Sequence, residues 1–214
     1  SMEHVDLNYL YIVPEQFSME AQRDIVTRHP RHGSMNIDAI GLNRLAYRVF
    51  DELSMNPGQV LEDFGKSMLV KKILMDNKQD LLVYGSYMDK MGFVDEMKSM
   101  MSELFQYAVD REDIDHAMEN MDEDSSTYRK LHDIRLIYEK FEERNAKDSY
   151  IVAEQLSELL ADNVGRSRFL ADSYLYFDGF TGFTPVQMKL VSKLMSHTRG
   201  VIFAFDIDAD QIGL

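Results

Sequence analysis

The sequence has 214 residues and a formal net charge of −14, and 45% of its residues are hydrophobic. This length suits one large domain or two small ones, and the apolar fraction is enough to fill a core. The negative charge argues against a self-sufficient nucleic-acid binder, which usually presents a basic surface. The sequence has no cysteine, which excludes disulfides and cysteine metal sites and fits a reducing cytoplasm. No apolar run approaches the roughly 18 residues of a membrane helix, so no membrane-spanning segment is predicted.

The first part of the chain predicts two strand–helix pairs, and such a pair is half of a βαβ unit. The predicted elements are a strand at 7–13, a helix at 15–29, a turn at 29–33, a strand at 35–40 and a helix at 42–53. The first helix is expected to face inward through Phe17, Ala21, Ile25 and Val26.

From residue 59 the pattern becomes almost entirely helical. The predicted elements are helices at 62–77, 93–108 and 128–143 and an acidic short helix and loop at 110–124. Residues 81–84 fit either a short strand or the start of a helix. The 62–77 helix is expected to bury Phe64, Met68, Leu69, Ile73 and Leu74.

After residue 148 the α/β pattern returns. The predicted elements are a helix at 152–164, a strand at 174–177, a helix at 184–196 and a last buried strand at 201–205, followed by Asp206-Ile-Asp208. The predicted fold class is α/β, with a partial RecA-like parallel sheet formed by residues 1–58 and 148–214. Residues 59–147 are interpreted as a helical subdomain inserted into it.

Asp178 ends a short run of Tyr, Leu and Phe, which is typical of a strand buried on both faces. Gly179 and Gly182 follow, and Thr184-Pro185 predicts the N-cap and first turn of a helix. Asp178 is therefore expected at the carboxyl end of a buried strand, where open α/β sheets bind ligands and where a Walker B aspartate holds magnesium. The alternative is a turn aspartate that bonds nearby backbone N–H groups.

Other motifs offer little local chemistry. Gly65-Lys-Ser67 does not form a phosphate loop, because Val60 stands where the motif needs its first glycine and the flanks predict one helix. Lys66, Lys71 and Lys72 are expected on a solvated helix face. No histidines show zinc-ligand spacing on one helix, and the acidic run lacks the EF-hand pattern. Neither a metal site nor a catalytic residue is predicted.

Three predicted strand ends precede helices and should share one edge of a parallel sheet. They would place Gln16, Ser18, Asn43, Arg44 and Thr181 on a polar ledge, where backbone N–H groups at helix N-termini favour phosphate. The alternative is ordinary N-capping and turn polarity, which need no ligand.

Five strings follow one another along the chain: Val13-Pro-Glu-Gln-Phe-Ser, Asn43-Arg-Leu-Ala-Tyr-Arg-Val, Gly65-Lys-Ser-Met-Leu-Val-Lys-Lys-Ile-Leu, Lys130-Leu-His-Asp-Ile-Arg-Leu-Ile-Tyr-Glu-Lys-Phe and Tyr176-Phe-Asp-Gly-Phe-Thr-Gly-Phe-Thr-Pro-Val-Gln. In this order they resemble the AddB family, the B subunits of bacterial AddAB ATP-dependent helicase–nucleases. The resemblance covers nearly the whole chain, and the string that begins at Asp178 is the most specific. AddB is related to UvrD-type helicases, whose first RecA-like domain carries a helical insertion.

The resemblance implies roles for individual residues. It aligns Asp178 with the Walker B aspartate and implies a set of candidate DNA contacts: Gln16, Phe17, Ser18, Asn43, Arg44 and Thr181. The glutamate that orients the attacking water in active helicases is Gly179 here, so the Walker B site is expected to be degenerate. The family's phosphate loop is expected upstream of residue 7, outside this sequence.

The resemblance also implies function and partners. The expected function is a catalytically inactive DNA-contact and scaffold region of a subunit that processes double-strand breaks, without a cofactor of its own. The parent would use ATP, magnesium and an iron–sulfur cluster in the cytoplasm, together with an AddA-type subunit and DNA. One alternative is a RecA-like protein-interaction scaffold without DNA or nucleotide binding, which the charge of −14 favours. Another is a free-standing nucleotide hydrolase.

Overall fold

The computed structural model describes residues 7–28 and 36–205. The predicted turn at 29–33, Met35 and the stretch from Asp206 lie outside these residues. The chain divides into two compact units, Ser1–Pro57 with Leu156–Leu214 and Gly58–Gln155. The interpretation of these units as a RecA-like domain and its insertion stays a prediction. None of the described helices is long and apolar enough to cross a membrane.

The described elements follow one another in a mixed α/β order. They are β1 (Asn8–Ile12), α1 (Ser18–Arg28), β2 (Ile37–Ile40), α2 (Leu42–Glu52), β3 (Gln59–Val60), α3 (Asp63–Asp76), α4 (Phe93–Gln106), α5 (Arg111–Met118), α6 (Ser126–Asp148), β4 (Tyr150–Ile151), α7 (Ala153–Asn163), α8 (Arg168–Ala171), β5 (Ser173–Phe177), α9 (Pro185–His197) and β6 (Gly200–Phe203).

The first unit is built on a parallel sheet in the order β2-β1-β5-β6. Ile12 at the end of β1 pairs with Ile40 on one side and with Phe177 on the other. The carboxyl ends of neighbouring strands therefore share one edge of the sheet. Parallel strands joined through helices confirm the predicted α/β class.

The sheet buries one face completely and the other only in part. The buried face carries side chains that are at most 2% exposed: Leu10, Ile12, Leu175 and Phe177. The alternate positions are half-buried tyrosines: Tyr9, Tyr11, Tyr174 and Tyr176. The expectation of a strand buried on both faces is therefore wrong, because a tyrosine keeps its polar tip near water or a partner.

The helices of the first unit differ in how much they bury. α2 and α9 bury apolar side chains such as Val49, Phe50 and Leu190. α1 has no buried residue, and Phe17 and Val26 are 47% and 37% exposed, so their predicted inward positions are wrong. α1 contacts β2, the end strand of the described sheet.

The last strand is also less buried than expected. β6 ends the described sheet, Ile202 is 53% exposed, and Phe205 beyond it is 62% exposed. A strand at the end of a sheet has a neighbouring strand on one side only. The predicted strand at 201–205 is therefore present as β6, but the prediction that it is buried is wrong.

The second unit packs α3, α4, α5 and α6 around one apolar cluster and adds a short parallel pair, β3 with β4. Its largest buried side chains include Leu74, Met101, Ile137 and Phe141. Strands of two residues give no periodic signal, which is why the sequence did not predict this pair.

The burial of α3 differs from its prediction. Val70, Ile73 and Leu74 are buried, but Phe64 and Met68 are 78% and 55% exposed. Lys66, expected in solvent, is only 7% exposed and places its Nζ 3.2 Å from Ser102 Oγ. α3 has apolar residues on two sides, so periodicity alone does not decide which side faces the core.

Of the two alternatives for segment 81–84, the strand is wrong, and the helix start is confirmed only in its last residue, because a short 3₁₀ helix spans Tyr84–Ser86. The Asp133 carboxylate on α6 is fully buried and accepts the backbone N–H groups of Leu82, Val83 and Tyr84 at 2.7, 2.8 and 2.8 Å. A side chain thus satisfies the donors that a strand ladder would otherwise have to pair.

Candidate functional site

Three strand–helix junctions lie side by side at the carboxyl edge of the sheet in the first unit. They are residues 13–17 after β1, Gly41 after β2 and residues 178–184 after β5. The Asp178 N–H donates to the carbonyl of Ile12 at 3.0 Å and extends the β1–β5 pairing past the strand ends. Open parallel sheets bind their ligands at this edge, so it is the candidate site.

Asp178 is half-buried, and its carboxylate accepts a hydrogen bond from the hydroxyl of Tyr11 on the neighbouring strand β1. This hydrogen bond, together with burial and the nearby negative charge, raises the pKa of Tyr11 to about 12. The phenol is therefore protonated at neutral pH and can donate. The observed partner of Asp178 is a side chain, which neither the magnesium interpretation nor the turn-aspartate interpretation anticipated.

Gly179, which is predicted to stand where active helicases have their catalytic glutamate, adopts a backbone angle φ of +75°. L-residues with side chains rarely adopt this conformation. A Cβ atom at this position would lie 3.5 Å from Cδ of Pro14, which is an ordinary contact. The constraint on a glutamate here therefore comes from the backbone and not from lack of space.

Glu15 occupies the N-terminus of α2. Its Oε1 accepts the backbone N–H of Asn43 at 2.7 Å, and Gly41, the N-cap residue, makes no side-chain cap bond of its own. A Cβ atom on Gly41 would lie 2.2 Å from Cδ of Glu15, so only glycine leaves room for this carboxylate. The anion position expected at this helix N-terminus is filled by the protein itself.

Sequence reasoning missed Glu15, because its partner Asn43 lies 28 residues away. A weak signal was present: α2 follows β2 directly at Gly41, without a Ser, Thr, Asp or Asn to cap it. Such a helix start needs a partner from elsewhere in the chain.

The candidate DNA contacts all lie on these junctions or on the first turns of α1 and α2: Gln16, Phe17, Ser18, Asn43, Arg44 and Thr181. Gln16, Arg44 and Thr181 are exposed. The hydroxyl of Ser18 donates to the carbonyl of Glu15 at 2.9 Å. Their role in binding DNA stays a prediction.

Aromatic packing explains the string that follows Asp178. Phe180 and Phe183 stack on each other with ring centroids 5.0 Å apart, and Phe183 lies 5.9 Å from Phe177. Phe177 in turn stacks on Phe203 of β6 at 5.0 Å. The turn is thus held over the sheet edge by phenylalanines, a role that sequence reasoning missed. α9 then begins as predicted, with the Thr184 side chain accepting the N–H of Gln187 at 3.3 Å.

An open cleft of ≈ 540 Å³ lies between α1 and the ends of β1 and β5. Its charged lining residues are Glu20, Asp24, Arg28 and Asp178. Arg28 lies 3.7 Å from Asp24, which leaves an excess of negative charge in the cleft. A phosphate group would be disfavoured by these carboxylates.

The fold and this edge of the sheet define an open-sheet α/β protein. The aspartate that follows its strand β5 accepts a hydrogen bond from a tyrosine. The chain belongs to the AddB family, because a family profile described as "ADDB, N-terminal" matches residues 2–213. The resemblance based on five sequence strings is confirmed.

Similar proteins carry names that identify each as the B subunit of an ATP-dependent helicase/deoxyribonuclease. The protein from Lachnoclostridium phytofermentans is 44% identical over 204 residues, covering 95% of this chain and 18% of the relative. The proteins from Alkaliphilus metalliredigens and Geobacillus kaustophilus are 28% and 30% identical over 96% and 93% of this chain, again 18% of each relative. The chain therefore spans about 18% of the length of these relatives.

Proposed function

We propose that this chain is the N-terminal region of a B subunit in an ATP-dependent helicase–nuclease that processes double-strand DNA breaks for recombinational repair in the cytoplasm. In this proposal the region contacts DNA and supports an AddA-type partner subunit. It hydrolyses neither ATP nor DNA by itself. The family membership and the names of the relatives support the assignment to such a subunit.

Gly179 next to the bonded Asp178 is the observation that carries the inactive role. One oxygen of the Asp178 carboxylate accepts the hydroxyl of Tyr11, so a magnesium ion would have to displace the phenol or share the carboxylate with it. Gly179 has positive φ and no side chain with which to orient an attacking water.

The cofactors proposed for the parent are ATP, magnesium and an iron–sulfur cluster. Among residues 7–28 and 36–205, no group of three or more His, Asp or Glu side chains gathers to hold a metal ion. The sequence contains no cysteine for an iron–sulfur cluster. We propose all three for the full subunit and its partner.

An ATPase assay tests the inactive role. The chain is expected to show no magnesium-dependent ATP turnover above an enzyme-free blank. Tyr11→Phe, which frees Asp178, is expected to show none either, because Gly179 still has no side chain to orient water. Turnover that is present in the wild type and lost in Asp178→Asn would show that the chain is a nucleotide hydrolase and would overturn this part of the proposal.

Fluorescence anisotropy with labelled single-stranded DNA tests the DNA contact. Binding is expected at low salt and should weaken steeply as salt rises, because phosphate contacts release counterions. Arg44→Glu should abolish it. Arg168→Glu is the matched control, since Arg168 is also exposed but lies on α8, before the amino end of β5. If wild type shows no binding at low salt, or if both variants lose it equally, the assigned contact is wrong.

The excess of carboxylates in the cleft favours a second candidate function, a protein-interaction scaffold that binds neither DNA nor nucleotide. Glu15 at the N-terminus of α2 also supports it, because a carboxylate already fills that anion position. Absence of DNA binding by the chain, combined with stable association of the full subunit with an AddA-type subunit, would favour this candidate.

A further inference from the structure

Five of the six predicted DNA contacts come from two separate segments of the first unit. Gln16, Phe17 and Ser18 follow β1, whereas Asn43 and Arg44 lie in the first turn of α2. Side chains that act on one ligand need a fixed relative position, because a segment that must become ordered on binding costs affinity. The bonds between the two segments therefore decide how well they act together.

A side-chain hydrogen bond joins these two segments directly. Glu15 Oε1 accepts the backbone N–H of Asn43 at 2.7 Å. A backbone bond from the N–H of Val13 to the carbonyl of Ile40, at 3.2 Å, lies before this point in both segments. The carboxylate thus reaches past the strand ends and holds the backbone next to Arg44, whose side chain is exposed.

The backbone of Glu15 is itself held in place. A short 3₁₀ turn spans Glu15–Phe17, and the N–H of Phe17 donates to the carbonyl of Pro14 at 2.9 Å. The hydroxyl of Ser18 donates to the carbonyl of Glu15, also at 2.9 Å. The proline ring fixes the backbone angle φ just before the turn. Because these contacts fix the turn, the Glu15 side chain ties α2 to a defined position of the first segment.

Gly41 leaves the space that this carboxylate occupies. Its φ of −84° and ψ of 172° are extended-backbone angles that any residue adopts, so the backbone does not require glycine here. A Cβ atom would lie 2.2 Å from Cδ of Glu15. The glycine at this N-cap is therefore explained by room for the Glu15 carboxylate.

Stability alone does not explain a carboxylate at this position. Glu15 is exposed, so water can satisfy the N–H of Asn43 without it. A negative charge beside predicted DNA contacts also repels phosphate, which is unfavourable for binding. The benefit of the bond that is specific to this edge is a fixed first turn of α2.

We propose that Glu15 is a positioning residue for the DNA-contact edge. It does not touch DNA itself. Its carboxylate fixes the first turn of α2, and with it Asn43 and Arg44, relative to Gln16. This inference rests on the proposed function, because it takes the DNA contact from it.

The test compares two uncharged replacements in the full-length B subunit. Glu15→Gln keeps an oxygen that accepts the N–H of Asn43, and Glu15→Ala does not. Since both remove the negative charge, a difference between them reports the lost contact and not the lost charge. Fluorescence anisotropy with labelled single-stranded DNA measures dissociation constants at several salt concentrations. Hydrogen–deuterium exchange follows residues 41–48 in the absence of DNA.

Glu52→Ala is the matched control. Glu52 is exposed like Glu15, and its Oε1 accepts the backbone N–H groups of Arg168 and Phe169 at 2.8 and 3.0 Å at the start of α8. α8 precedes β5, so this contact lies towards the amino end of that strand and away from the candidate site. Arg44→Ala is measured beside it, because it removes a predicted phosphate contact outright.

Glu15→Ala is expected to bind DNA about three- to tenfold more weakly than Glu15→Gln, because the first turn of α2 must then become ordered on binding. The two salt slopes should be equal, since neither variant removes a phosphate contact. Arg44→Ala should instead flatten the slope by about 0.7, the value for one phosphate of a single strand. Exchange of residues 41–48 should rise in Glu15→Ala and not in Glu15→Gln. Glu52→Ala should keep the wild-type affinity.

Two outcomes would overturn the inference and leave the DNA contact standing. One is equal affinity of Glu15→Gln and Glu15→Ala. The other is an equally large loss in Glu52→Ala, which would show that general destabilisation weakens binding. If the wild type does not bind at low salt, or if Arg44→Ala changes neither affinity nor slope, the DNA contact assigned to this edge is wrong and the inference fails with it.

Discussion

The hydroxyl of Tyr11 on β1 donates a hydrogen bond to the carboxylate of Asp178 at the end of the neighbouring strand β5. The bond joins two adjacent strands beyond their backbone ladder. It also means that a metal ion at Asp178 would have to displace the phenol or share the carboxylate with it. The same contact therefore contributes to stability and bears on the predicted Walker B role of Asp178.

Tyr11→Phe tests the structural part of this contact. Removing the hydroxyl should lower the free energy of unfolding by about 1–2 kcal/mol, since a hydrogen bond to a charged group is lost at a half-buried site. Urea denaturation measures it, with an unchanged slope expected. Tyr176→Phe is the matched control on the same face of the sheet and should change stability by less than about 0.5 kcal/mol. Equal effects of both variants would contradict a specific bond.

The raised pKa of Tyr11, about 12 in the folded state against 10.0 ordinarily, predicts a dependence on alkaline pH. A group whose pKa rises on folding adds stability below its unfolded pKa and loses it as pH approaches the folded value. The stability difference between wild type and Tyr11→Phe should thus be constant up to about pH 10 and shrink towards pH 12. Urea midpoints of both proteins at several pH values measure this. A difference that does not change between these pH values would contradict the assigned pKa.

The parts of the fold that were predicted correctly from the sequence depend on residues that are close together in the chain. Residues 8–12 and 173–177 form strands, and Thr184 and Pro185 begin α9 as their capping preferences predict. The position of Asp178 at the carboxyl edge of the sheet follows from the same local signals.

The parts that sequence missed depend on contacts between distant residues. Glu15 accepts a backbone N–H at the start of α2, and Tyr11 donates a hydrogen bond to Asp178. Asp133 accepts backbone N–H groups of residues 82–84. In each of these contacts the two partners lie at least 28 residues apart in the sequence. The prediction of which α3 side chains are buried was wrong for another reason. Phe64 and Met68 are apolar, but both are exposed. An apolar residue that is exposed on a helix has the same sequence signal as one in a core.

Glu15→Ala and Gly41→Ala should act through the same contact. The first removes the carboxylate from the N-terminus of α2 and should cost about 1 kcal/mol. The second places a Cβ atom where that carboxylate lies and should displace it. A double-mutant cycle by thermal unfolding should therefore be non-additive, with Gly41→Ala costing much less in the Glu15→Ala background. Additive costs would show that Gly41 is needed for some other reason.

Asp133→Asn should be strongly destabilising although it conserves shape. The buried carboxylate accepts three backbone N–H groups, and an amide would turn its NH₂ group towards at least one of them. The expected loss is about 2–4 kcal/mol, measured by urea denaturation. Asp124→Asn in the exposed turn before α6 should leave stability unchanged. If Asp133→Asn retained wild-type stability, the three N–H groups would have to be satisfied in another way.

Lys66→Met should leave a buried carboxylate without its ion pair. Lys66 Nζ lies 3.5 Å from Glu154 Oε2, and the two side chains are only 8% and 12% exposed. Methionine replaces the apolar stem of the lysine but not its charge, so the expected loss is about 3 kcal/mol.

The double variant Lys66→Met/Glu154→Met separates the lost charge from lost packing. It should recover much of that loss, because it removes the unpaired charge as well. Lys98→Met is the control, since its partner Asp63 is 81% exposed and a surface ion pair contributes little. A double variant as unstable as Lys66→Met would show that the packing of the lysine stem, and not the buried charge, determines the effect.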